Sequence, residues 1–96
     1  MDLEEYRREI DRIDGQLVSL FCERMDIAAK IAAWKKEQGR PVYDPERERK
    51  KLLEIAASVP EEMQEYTASL YSQLFELSRS YQNRLLGTAT ELTAQL

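Results

Sequence analysis

From Leu3 to Trp34, the positions Leu3, Tyr6, Ile10, Ile13, Leu17, Leu20, Arg24, Ile27, Ile31 and Trp34 succeed one another at alternating spacings of three and four residues without a slip. Such a run describes a single amphipathic helix, predicted here over about 3–37. At roughly 1.5 Å per residue that helix is about 50 Å long. A compact domain of 96 residues has a radius of gyration of only about 12 Å and a diameter near 32 Å. The helix therefore overhangs anything its own chain can build, and its apolar stripe is left in water. The simplest remedy is a second copy that covers the stripe across a two-fold axis, which predicts a homodimer.

Breakers divide the rest of the chain: Gly39 and Pro41 in "EQGRPVYDPER", Pro60 in "ASVPEEM" and Gly87 in "RLLGTAT". Asp44, Pro45 and Glu46 make a helix start, with Asp44 as N-cap, Pro45 at the first helical position and an acid near the positive helix end. The second helix then spans about 45–58, with Leu52, Ile55, Ala56 and Val59 on its apolar face. A third, about 61–86, carries Met63, Tyr66, Leu70, Leu74, Leu77, Tyr81 and Leu85. No segment reads as a strand, so the expected fold is all-α, three helices in one domain over 1–96, with 88–96 a tail or the start of a linker.

Several function classes recede on composition. Hydrophobic residues make up 43% and charged ones 33%, and no apolar run approaches a membrane span. The acidic start MDLEEYRREIDR lacks the features of a signal peptide, so a cytoplasmic protein with no membrane partner is expected. A formal charge of −4 argues against nucleic acid. There is no histidine, and the lone Cys22 reads as a small core residue, not a nucleophile, since no histidine is there to activate it. Any chemistry must proceed without the commonest general base and metal ligand.

What remains is a set of polar residues on or beside apolar faces. Arg24 occupies a position where the repeat calls for leucine. Lys35, eleven residues on, lies three turns further along the same side, about 16 Å away. Between them Ala28 and Ala32 leave open volume. Glu48 sits four residues before Leu52 on the second helix, and Ser78 and Gln82 run at i and i+4 beside the third stripe. Leaving such groups buried and unpaired is costly, so they need partners.

Two readings supply them. In the first, Arg24 and Glu48 form a buried ion pair, Lys35 extends to water, Ser78 and Gln82 satisfy backbone groups, Asp44 is only a cap and Arg47 a solvated charge. In the second, the cations await an anionic ligand. Arginine suits carboxylates through its forked donors and lysine adds a point charge, so the cavity would take a small di-acid. Arg7 lies seventeen residues before Arg24, about 25 Å away and rotated by roughly 100°. It cannot easily join that cavity in its own chain, but Arg7 of a second, antiparallel copy can.

Taken together, "YRREIDRID", "LFCERMDIAAKIAAWKK", "GRPVYDPERE" and "LFELSRSYQ" resemble the all-helical, intertwined-dimer class of chorismate mutases over about residues 3–85, with Arg7, Arg24, Lys35, Asp44, Arg47, Glu48, Ser78 and Gln82 at that family's spacings. The resemblance implies rearrangement of chorismate to prephenate, a unimolecular pericyclic step in phenylalanine and tyrosine biosynthesis that uses no cofactor. It also implies roles. Arg24 and the second copy's Arg7 hold the two substrate carboxylates, with Ser78 and Arg47 assisting there or ordering the site. Lys35 and Gln82 donate to the ether oxygen. Glu48 accepts from the ring hydroxyl, aided by the backbone around Asp44, and Ala28, Ile31 and Val42 supply apolar wall. Domains of this family are often fused to another aromatic-pathway enzyme. Two other readings stay open: a lyase on the same fold that removes pyruvate from isochorismate, and a catalytically idle helical dimerisation module.

Overall fold

The computed structural model describes residues 2–87 and consists of α1 (Leu3–Glu37), α2 (Pro45–Ala57) and α3 (Gln64–Leu85), the last entered through a 3₁₀ turn at Glu61–Met63. No strand occurs among the described residues. The chain is all-α, with α1 bounded where the heptad pattern places it. The expected start of α3 differs: residues 61–63 form the tighter turn, closed by the Met63 amide donating to the Pro60 carbonyl at 2.9 Å. No side chain caps that end, and i to i+3 bonds then satisfy its first amides. The reading of 88–96 as tail or linker lies outside the described residues.

Local chemistry accounts for the helix ends. The Asp2 carboxylate accepts from the Glu5 amide at 2.9 Å and starts α1. At the other end Gly39, at φ 67°, turns the chain left-handed; its amide reaches Lys36 O at 3.2 Å and that of Arg40 reaches Lys35 O at 2.8 Å. This paired closure needs a residue without a Cβ penalty at the turn. Residues 40–44 are thereby folded back beside the end of α1. Asp44 caps α2 by accepting from the Arg47 amide at 3.0 Å, ahead of Pro45. Asp44→Ala should lower stability by about 1 kcal/mol, read from the urea unfolding midpoint at unchanged slope.

Packing is centred on α3, which lies against both α1 and α2. Among the described residues the buried apolar side chains are only Ala28, Ala32 and Phe75, joined by the polar Ser78 and Gln82. The molecule measures 53 × 31 × 24 Å with a radius of gyration of 16.8 Å, well beyond the compact expectation of about 12 Å. Its long dimension is that of α1, whose stripe stays open: Tyr6 and Ile10 are each 55% exposed, Leu17 is 55% and Leu20 61%.

The apolar stripe carried by α3 also faces largely outward in the single chain. Leu74 and Tyr81 are half-buried, but Met63, Tyr66, Leu70, Leu77 and Leu85 are exposed. The face turned into the chain is instead Phe75, Ser78 and Gln82, at spacings of three and four. That face meets α1 and α2 at once, and the open volume over the alanines of α1 admits its polar members.

Candidate active site

The three helices and the 38–44 segment enclose a cleft of about 710 Å³. Helix α1 supplies Arg24, Ala28, Ile31 and Lys35, one residue per turn along one side. Val42 and Asp44 close one end, Arg47 and Glu48 enter from the first turns of α2, and Phe75, Ser78 and Gln82 form the α3 wall. Of the residues singled out from sequence, Arg24, Lys35, Asp44, Arg47, Glu48, Ser78 and Gln82 therefore border one space. Arg7 does not. Its exposed side chain donates to Glu4 at 2.9 Å, on the first turns of α1.

The ion pair anticipated between Arg24 and Glu48 is not formed. Glu48 is bound by Arg79, whose Nη1 donates to both carboxylate oxygens. Hydrogen bonding to Glu48 raises the Arg79 pKa above its ordinary value, against the opposing effect of burial, with further support from the neighbouring Glu48, Tyr43 and Glu76 groups. Arg24 is half-buried, with its guanidinium 5.9 Å from the Phe75 ring centre. Among the described residues no carboxylate pairs with Arg24, Lys35 or Arg47.

Lys35 does not extend freely to water either. Its half-buried ammonium donates to the Val42 carbonyl at 2.8 Å, which leaves two of its three N–H groups for another acceptor. Gln82 donates Nε2 to Ser78 Oγ at 3.0 Å, and its Oε1 is buried without a partner. An end-for-end turn of the amide moves that deficit from the oxygen to the NH₂ group. The serine hydroxyl then donates to Oε1, and the NH₂ group is released as a donor.

Residues that sequence reasoning passed over complete the charge pattern. Arg79 and Lys51 line the cleft as further cations, and Glu23 as a further acid. Lys51 was accessible to spacing, being three residues after Glu48 and four after Arg47 on one helix face. Arg79 was not, because it lies one position off the Ser78 and Gln82 row. Five cations against three carboxylates border the cleft, an excess of two positive charges beside an apolar floor. Among the described residues no group of three or more histidine, cysteine or acidic side chains is placed to hold a metal ion.

Residues 6–83 match the family described as chorismate mutase type II. The chain belongs to that family. Among its mutase relatives, the chorismate mutase of Methanocaldococcus jannaschii is 43% identical over 47 residues, 49% of this chain and 48% of that protein. The bifunctional chorismate mutase/prephenate dehydratase of Aquifex aeolicus is 39% identical over 61 residues, covering 60% of this chain and 17% of its own length. Its counterpart in Buchnera aphidicola is 34% identical over 83 residues, 84% of this chain and 22% of that one. The chain thus spans less than half the length of these mutase relatives. No solved structure matches it.

Proposed function

We propose that this chain rearranges chorismate to prephenate. The observation that carries the reading is the cleft's charge: two surplus positive charges, with Arg24 and Arg47 unpaired by any described carboxylate, in a member of the mutase family. Chorismate is a dicarboxylate with an ether bridge, and the cleft offers a matching anion site.

The chemistry suits these residues. An intramolecular pericyclic step requires neither nucleophile nor proton transfer, so the acceleration comes from holding the reactive conformer and stabilising negative charge on the ether oxygen as its bond to carbon breaks. Arg24 anchors one carboxylate, and Arg47 assists. Lys35, steadied by the Val42 carbonyl, and the Gln82 amide turned to face the cleft donate to the ether oxygen. Of the roles open to Ser78, its bond to Gln82 favours ordering that amide. Glu48 accepts from the ring hydroxyl, and Ala28, Ile31 and Val42 form the apolar wall. Loss of one ether donor, Lys35 or Gln82, should lower the rate by about 10² to 10³.

With Arg24 and Arg47 given to one carboxylate, we assign the second to Arg7 of a second copy in an intertwined homodimer. The exposed α1 stripe supports this, as does Arg7 lying off the cleft of its own chain. No helix among the described residues is long and apolar enough to cross a membrane, and we place the protein in the cytoplasm. The direct test is loss of chorismate absorbance on adding the protein, with the product identified chromatographically. Prephenate supports the assignment; pyruvate released from isochorismate, or no turnover by a folded protein, overturns it.

A further inference from the structure

Arg79 joins three parts of the chain. From α3 its Nη1 donates to both oxygens of Glu48 on α2, thirty-one residues away in sequence. Its guanidinium carbon lies 4.8 Å from the ring centre of Tyr43, on the segment that folds back from α1. Side-chain exposures of 30% for Arg79 and 22% for Glu48 put the pair on the cleft wall, partly withdrawn from water. The other ion pairs among the described residues link neighbours three positions apart on one helix, and all but Lys51–Glu54 are largely exposed. Such pairs contribute little; one that locks a side chain between helices has a geometric consequence.

That consequence falls on Glu48. A carboxylate lining a site built for a dianion repels its ligand unless its charge is balanced, and a Glu side chain has three torsions through which to swing away. Arg79 addresses both. It takes one lone pair on each oxygen, which leaves one on each for a hydroxyl donor, and the Tyr43 ring gives the guanidinium a second contact. Because its charge is already engaged by Glu48, Arg79 is also less available than Arg24 or Arg47 to capture a substrate carboxylate in the wrong place.

We propose that Arg79 is a positioning residue, presetting the Glu48 carboxylate as the acceptor for the substrate's ring hydroxyl and balancing its charge. This rests on the mutase reading above and adds a residue to it. The test is a double-mutant cycle of Arg79→Gln and Glu48→Gln, followed by kcat/KM for chorismate and by urea unfolding. If Arg79 works through Glu48, Arg79→Gln lowers kcat/KM by about 10-fold with Glu48 present and changes it by no more than about 2-fold in the Glu48→Gln background. Arg79→Lys, which keeps the charge, should retain more activity than Arg79→Gln.

A pair that only ties α2 to α3 gives a different result. Coupling then appears in unfolding but not in kcat/KM, and that outcome overturns the proposal, as does an equal loss in both backgrounds. An active wild type with either result removes the Arg79 proposal alone. A wild type that does not convert chorismate removes the mutase reading and this proposal with it.

Discussion

Replacing Arg24 by alanine is expected to lower kcat/KM for chorismate by about 10² to 10⁴ while the helices stay formed. The guanidinium sits half-buried on the cleft wall, against Phe75 and with no described carboxylate to balance it. A bound substrate carboxylate becomes its charge partner. Removing one member of a partly desolvated pair costs about 3–5 kcal/mol, which at about 1.4 kcal/mol per tenfold sets the stated range. Stability should respond differently. Arg24→Leu restores the apolar repeat and removes a cation from a largely apolar wall, giving up a ring contact of only about 0.5–1 kcal/mol. Its urea midpoint should equal or exceed that of the wild type while activity is lost. Activity within about threefold of wild type would exclude Arg24 from substrate binding.

The second large effect concerns α1 itself. Leu17 lies beside the midpoint between Arg7 and Arg24, so an antiparallel pairing that carries Arg7 to the partner's cleft brings Leu17 close to the two-fold axis. Leu17→Glu should then disrupt the dimer twice over, once from each copy. At about 2 kcal/mol per lost leucine burial, before any repulsion between the new carboxylates, association weakens by at least about 10³. Light scattering should report a mass falling from twice 11.2 kDa to 11.2 kDa, with loss of turnover as Arg7 is withdrawn. If the chain works alone, Leu17 is simply a surface residue, 55% exposed, and the substitution should shift stability by no more than about 0.5 kcal/mol. A wild type that is monomeric at micromolar concentration removes the shared site outright.

The helices were legible from sequence because their determinants are local. The three-and-four spacing, the Asp44 and Pro45 start and the Gly39 stop act within a turn of the residues they control, and each recurs in the structure. Much of the cleft was legible for a related reason. Arg24 and Lys35 share a helix face by arithmetic alone, and Glu48, Ser78 and Gln82 betray themselves as polar groups on or beside apolar faces. The choice of partners was a different matter. Arg24 and Glu48 are natural partners by charge, yet Glu48 is held by Arg79, a residue that periodicity assigns to no face of interest.

The same division explains the outward-facing stripe of α3. Periodicity finds an apolar face but not what will cover it, and in this chain Tyr66, Leu70 and Leu77 face outward while Phe75, Ser78 and Gln82 face in. The sequence by itself determined three helices, their ends and a first helix too long for its own domain, since backbone propensity, capping and periodicity are properties of neighbours. The tertiary structure decided which face of α3 turns inward, that Lys35 is steadied by Val42, and that Glu48 belongs to Arg79. Those outcomes depend on distances between residues far apart in the chain, which are set only when helices pack against one another.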